Sequence, residues 1–209
     1  MSHEIIAIDG PAGSGKSTVA KAVAEQLGWA FLDTGAMYRA VTCEALSQGV
    51  DVHDQRAMGE LARTVTLATL PRVTVNGRDV QDELRTEPVN LAVSIVAANP
   101  LVRESMVTRQ REIAGAQSTG TVVEGRDIAT VVFPHATLKV FLTASLEERS
   151  RRRGEEGVDS VARRDEADST RTTSPLRQAD GALVLDTTGQ SIDDVVGEVI
   201  RCLKSITSN

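Results

Sequence analysis

The sequence predicts an α/β fold: a doubly wound parallel sheet of about five strands covered by helices, with a small insert and a polar flap. Three observations predict it. Short apolar runs alternate with helix-patterned stretches along most of the 209 residues. Several of these runs end in small or polar residues just before a helical pattern begins. Two polar stretches break the alternation and read as the insert and a flap.

The elements follow in order. Ile5–Ile8 is a buried-strand pattern ending in Asp9-Gly10. Val19, Val23 and Leu27 lie at helical spacing, and that helix stops at Gly28. Ala30–Leu32 reads as a second strand, closed by the loop Asp33-Thr34-Gly35, and Met37–Leu46 as a helix ending near Gly49. The polar segment of roughly 56–90 is an insert, in which Arg72–Val80 forms a hairpin about Asn76-Gly77. Thr121–Val123 and Leu138–Leu142 are further strands, and Leu146–Arg153 starts a helix. Gly154–Thr173 has both charge signs and little periodicity, which suits a mobile flap. Leu183–Leu185 is the last strand, and Ile192–Leu203 the helix after it.

Composition removes several function classes. The formal net charge of -6 argues against non-specific binding to nucleic acid or an anionic membrane. Five aromatic residues are too few for a row of base-stacking platforms. Two cysteines and three scattered histidines supply neither a disulfide framework nor a zinc cluster. The longest apolar stretch, Leu91–Ala98, is broken by Ser94 and is too short to span a bilayer. Glu4 and Asp9 stand where a signal peptide would need its apolar core, so a cytoplasmic protein is expected. Among the 23 basic residues only four are Lys and nineteen are Arg. Arg presents a planar fork suited to phosphate and carboxylate. Eight of those nineteen fall within residues 149–177, against six acids there, so the whole-chain balance conceals a local cationic segment.

Gly10-Pro11-Ala12-Gly13-Ser14-Gly15-Lys16-Ser17 fits the phosphate-loop pattern G-x-x-x-x-G-K-[ST], placed after a strand and before a helix. Gly13 and Gly15 permit backbone shapes that turn N–H groups inward around a phosphate. The helix that follows adds its positive N-terminal end. Lys16 can reach the β- and γ-phosphates of a bound nucleotide, Ser17 can ligate Mg²⁺, and Thr18 suits the α-phosphate. No Asn begins the guanine-reading N-K-x-D pattern.

Asp33-Thr34-Gly35-Ala36-Met37-Tyr38-Arg39 and Glu124-Gly125-Arg126-Asp127 both stand at strand ends, on the ligand edge of such a sheet. These residues favour a small nucleotide-using transferase. They leave open a phosphate-loop kinase for another monophosphate or a small metabolite, and a non-catalytic nucleotide switch.

With Gly10–Thr18, the Asp33–Arg39 and Glu124–Asp127 runs, Arg164–Arg171, Thr130–Pro134 and Leu185–Thr188, the chain resembles the bacterial cytidylate (CMP/dCMP) kinases. The resemblance implies a single phosphate-loop kinase domain over 1–209, with a nucleoside-monophosphate region and insert at about 35–118 and a lid at about 150–172. It implies Mg²⁺-dependent transfer of the ATP γ-phosphoryl group to CMP or dCMP. Thr34, Tyr38, Arg39, Ser94, Arg103, Arg126, Asp127, Arg164, Asp168 and Arg171 would contact the acceptor. Ser94 and Asp127 would meet the cytosine edge, Asp168 the sugar hydroxyls, and Arg39 and Arg126 the acceptor phosphate. Lys16, Arg126, Arg164 and Arg171 would be catalytic. Ser17 and Glu124 would serve the metal, with Glu124 standing where many relatives have Asp. Arg149, Arg152 and Arg153 either join the phosphate site or form a solvated helix face. The expected partners are small molecules, with no nucleic acid and no membrane, and a monomer is expected.

Overall fold

The computed structural model describes residues 4–69, 71–154, 162, 165, 166, 168–170 and 174–208. Two compact units are formed, one from residues 1–32 with 113–209 and the other from residues 33–112.

The first unit contains the sheet. Its strands are β1 (Ile5–Asp9), β2 (Ala30–Asp33), β6 (Thr121–Gly125), β7 (Leu138–Thr143) and β8 (Leu183–Asp186), in the order β2-β6-β1-β7-β8. The strand expectations hold, most extended by a residue or two at the carboxyl end. β1 is central, parallel to β6 on one side and to β7 on the other. β7 in turn pairs in parallel with β8. Because strand side chains alternate faces, β1 serves two surfaces. Ile6 and Ile8 join Val122, Val140 and Leu142 in a core covered by α1 (Lys16–Leu27) and the C-terminal helix α7 (Ile192–Thr207). Val19, Val23, Val195, Val199 and Leu203 are the apolar stripes of those two helices. Asp9 belongs to the other alternation of β1, and its partners lie on a five-residue π-helix, Ile128–Val132. No periodicity in the sequence pointed to that π-helix.

α1 has an unusual start. Its N-cap is Gly15 at φ 90°, with no side-chain cap. The last helix begins in the ordinary way, with the Ser191 hydroxyl accepting from the Asp194 N–H. In the first unit α6 spans Leu146–Arg153, and its Ser145 cap accepts from the Glu148 N–H. The expected flap at Gly154–Thr173 falls largely outside the described residues. Asp165, Glu166, Asp168 and Ser169, which are described, are helical rather than aperiodic. Thr170 closes that turn by donating both its N–H and its hydroxyl to the Glu166 carbonyl.

The second unit is helical with a small sheet. α2 (Thr34–Gln48) starts three residues before the expected Met37 and takes in the Thr34-Gly35 pair read as loop. The Asp33 carboxylate caps it, accepting the Ala36 N–H at 2.8 Å, so the helix needs no preceding loop. α3 (Gln55–Thr64), α4 (Glu87–Ala98) and α5 (Pro100–Gly115) follow. α3 opens the polar segment of roughly 56–90 that reads as an insert. The hairpin expected at Arg72–Val80 is present as β4 (Thr74–Val75) and β5 (Arg78–Asp79), joined by β3 (Leu67–Ala68) in a three-stranded sheet. Asn76 and Gly77 take φ values of 50° and 79°, the left-handed pair that a tight hairpin turn demands. The Asn76 amide donates to Glu44 on α2 at 2.8 Å and accepts the Thr66 N–H at 2.9 Å, which locks the small sheet to its neighbours.

Among the described residues no helix is long and apolar enough to cross a membrane.

Candidate active site

In the first unit, β1 runs directly into the phosphate loop. Gly10, Gly13 and Gly15 have φ of 153°, 76° and 90°. A Cβ on Gly10 would lie 2.1 Å from the Leu142 carbonyl oxygen, and one on Gly13 would lie 2.6 Å from the Arg149 carbonyl oxygen. Gly10 and Gly13 are therefore required by close backbone approach as well as by φ, and Gly15 by φ alone. Lys16 is 7% exposed, and its Nζ donates across the loop to the Pro11 carbonyl at 2.9 Å. The Ser14 hydroxyl is buried with no hydrogen-bond partner, an orphaned polar atom of the kind a bound anion would satisfy. The uncapped start of α1, the loop glycines and Lys16 make a cradle that fits a polyphosphate.

Ser17 Oγ donates to Glu124 Oε1 at 2.7 Å. Two hard oxygen donors converge there, as Mg²⁺ requires. Among the described residues no group of three or more His, Cys, Asp or Glu gathers into a metal site.

The turn after β6 carries Arg126 and Asp127. Arg126 Nη1 donates to the Gly10 carbonyl at 2.6 Å, and its Nε pairs with Asp168 Oδ2 at 2.6 Å. Asp168 is 2% exposed. A charge-assisted bond between such groups is stronger than a neutral one. Asp127 is also buried and N-caps the π-helix by position, yet its side chain makes no cap bond.

α6 presents two of its arginines to the phosphate loop. Arg149 donates to the Ala12 and Ala144 carbonyls and pairs with Asp165, while Asp165 accepts the Ala12 N–H at 3.0 Å. Arg152 donates to the Thr187 carbonyl at 2.7 Å and hydroxyl at 2.8 Å. Thr187 in turn donates to the Ser14 carbonyl at 3.1 Å. Arg151, between them, is solvated and pairs with Glu148. The helix face is thus divided: Arg149 bonds the loop directly, Arg152 pairs with Glu148 and reaches the loop through Thr187, and Arg151 is the surface residue. Arg164 and Arg171 lie outside the described residues, as does the Arg153 side chain.

The second unit groups the other sequence-selected residues. Thr34 and Tyr38 are buried on the first turns of α2. The Arg103 guanidinium of α5 stacks over the Tyr38 ring at 5.7 Å from its centroid, and Arg103 Nη1 donates to the Ala97 carbonyl at 3.3 Å. Arg39 Nη1 donates to the Leu84 carbonyl at 2.5 Å and to Asn90 Oδ1 at 2.8 Å. Ser94 is half-buried on α4, the helix that supplies Asn90 and packs on α2.

Sequence reasoning missed Asp9, Thr187 and Asn90 as site-building residues. Asp9 had a faint signal, being a charged residue closing an otherwise apolar strand. Its carboxylate is 1% exposed and accepts the Ile128 N–H at 2.9 Å and the Ala129 N–H at 2.8 Å. Burial pushes its pKa up to about 6, against the two N–H bonds that favour the charged form. Asp127 nearby pushes the same way and Lys16 opposes it. A folded-state pKa above the unfolded value means the native chain holds the proton more tightly. This group's contribution to stability is therefore full at pH below its ordinary value of 3.8 and is lost as pH rises through about 6. Urea unfolding of the wild type and Asp9→Asn should diverge across that window, the wild type losing ground as pH rises. Parallel curves would show that Asp9 titrates normally.

Comparison with known proteins gives one consistent picture. The sequence model described as cytidylate kinase matches residues 6–205. A protein named cytidylate kinase from Geobacillus kaustophilus (strain HTA426) is 50% identical, the match covering 94% of this chain and 94% of that protein. A protein of the same name from Bacillus subtilis (strain 168) is 44% identical over 95% of this chain and 96% of its own length. The crystal structure of a gluconokinase from Sinorhizobium meliloti 1021 superposes with a TM-score of 0.51 at 17% identity, covering 99% of this chain and 94% of that one. At that identity the likeness is one of fold.

Proposed function

Because the chain belongs to the cytidylate kinase family, we propose that it transfers the γ-phosphoryl group of ATP to CMP or dCMP, giving ADP and CDP or dCDP. The single observation that carries this reading is the family match over residues 6–205, joined to a phosphate loop in which Gly10 and Gly13 leave no room for a side chain.

The first unit's phosphate loop takes ATP, with Gly10 to Gly15 and Thr18 around the phosphates and Lys16 on the transferred group. Ser17 and Glu124 would hold Mg²⁺, which supplies charge neutralisation on the β- and γ-phosphates. The acceptor is assigned from sequence to Thr34, Tyr38, Arg39, Ser94, Arg103, Arg126, Asp127 and Asp168. Arg164 and Arg171 complete the assignment from sequence. The region of about 35–118 is proposed as the acceptor-binding part and about 150–172 as a lid.

The chemistry needs little from the protein beyond placement. A phosphate monoester has a second pKa near ~6, so the acceptor phosphate is already a nucleophile at neutral pH. The obstacle is the approach of two anions, which cationic groups and exclusion of water overcome. Arg126 is suited to the acceptor phosphate because its guanidinium is anchored at one end by the Gly10 carbonyl. Arg39 is anchored in the same manner by Leu84 and Asn90.

Base selection falls to Asp127 and Ser94. Cytosine offers an exocyclic amino donor that a carboxylate or hydroxyl accepts; uracil presents an oxygen there. Steady-state kinetics with CMP, dCMP, UMP and AMP tests the reading, and turnover of UMP or AMP far above CMP would overturn it. In the same assay Asp127→Ala should lower the CMP-to-UMP ratio of kcat/KM by about 10²-fold while KM for ATP changes little. An equal loss of ATP affinity would remove Asp127 from base selection.

A further inference from the structure

The N–H groups that open a helix have no partner within it and call for a cap. Asp is among the best residues for that task. Asp127 stands at the N-cap position of the π-helix Ile128–Val132, at φ −141° and ψ 26°, but its side chain makes no cap bond. The capping is done from a distant point of the sequence. Asp9 Oδ1 accepts the Ile128 N–H at 2.9 Å and Asp9 Oδ2 accepts the Ala129 N–H at 2.8 Å, one carboxylate oxygen to each.

The segment is held on its other flank as well. Gly10, the residue after Asp9, gives its carbonyl to Arg126 Nη1 at 2.6 Å. The dipeptide Asp9-Gly10 therefore grips the chain both before and after Asp127. β1 and β6 add register, pairing Asp9 with Gly125. The Asp127 carboxylate is thereby spared from capping its own helix, while its backbone is fixed from both sides.

We infer that Asp9 is a positioning residue for acceptor selection: by capping the π-helix in place of Asp127 it aims the Asp127 carboxylate at the acceptor base and ties that turn to the phosphate loop. Burying a carboxylate beside a second one is unfavourable, and the raised pKa of Asp9 records that cost. The inference rests on the assignment of Asp127 to the cytosine edge.

The test is the ratio of kcat/KM for CMP over UMP, with KM for ATP measured alongside, in Asp9→Ala, Asp9→Asn, Asp127→Ala and the double variant Asp9→Asn with Asp127→Ala. Asp9→Ala is expected to lower the ratio at least about 10-fold with KM for ATP held within about 3-fold. Asp9→Asn keeps one acceptor oxygen but turns an amide donor toward the second N–H, so an intermediate ratio is expected. In the Asp127→Ala background Asp9→Asn should change the ratio no further, because its effect passes through Asp127. Should Asp9→Ala fail to fold, Asp9→Asn and the double variant decide the matter. Equal losses toward CMP and UMP, an unchanged ratio, or a parallel rise in KM for ATP would reduce Asp9 to a structural cap and overturn the inference. If Asp127→Ala alone leaves the ratio intact, the base assignment itself fails. If Asp127→Ala collapses the ratio and the Asp9 variants do not, only the positioning role fails.

Discussion

Lys16→Ala is expected to lower kcat by about 10³-fold, with the fold intact. The ammonium stands over the loop, held by the Pro11 carbonyl at 2.9 Å, where it costs no reorganisation as charge moves to the transferred phosphoryl oxygens. At 7% exposure, its interactions with a bound nucleotide would be screened by water far less than those of a surface lysine. Because the stabilised charge grows as the transition state forms, kcat should fall more than KM for ATP rises. Lys16→Arg should not restore activity, since a planar fork cannot replace a compact ammonium in a loop this closely packed. Single-turnover rates with saturating ATP and CMP read the chemical step directly. A kcat within a few-fold of wild type would remove Lys16 from the reaction.

Arg126→Ala is expected to have an effect of similar size, about 10³-fold on kcat, through loss of the guanidinium assigned to the acceptor phosphate. Its folding cost is separable. Arg126 pairs with Asp168, which is 2% exposed, and breaking a buried pair from one side costs about 3–5 kcal/mol when fully desolvated. Arg126 is itself partly exposed, so the loss here should sit below that range. Arg126→Lys keeps a charge but cannot hold the Gly10 carbonyl and a carboxylate or phosphate at once. It should therefore recover stability better than it recovers kcat. Thermal unfolding and steady-state kinetics on both variants check this. Turnover that tracks stability in each would leave Arg126 a purely structural residue.

How much was legible beforehand follows the distance between the interacting residues. The phosphate loop was readable because its strand, glycines, lysine and helix are contiguous, and each acts through its own backbone or its nearest neighbours. The hairpin about Asn76-Gly77 was readable for the same reason. The start of α2 was misjudged, because the Asp33 cap makes a strand end and a helix start coincide, where a loop is the usual reading. The arginines of α6 could not be sorted. Arg149, Arg152 and Arg153 were left between the phosphate site and a solvated face, and only the approach of Gly13 to Arg149 and of Thr187 to Arg152 decides for the first two.

The sequence by itself determined the α/β class, the place and identity of the phosphate loop, and the family to which the chain belongs. Those rest on local periodicity and contiguous motifs, which the order of residues states directly. Only the tertiary structure decided how Asp127 is held, which arginines join the loop, and that a buried Asp9 caps a helix more than a hundred residues away. The physical reason is the strand order β2-β6-β1-β7-β8, which lays β6 beside β1 after a long excursion of the chain. Unpaired backbone N–H groups must be satisfied by whatever acceptor the sheet brings near them, and no local pattern says which one that is.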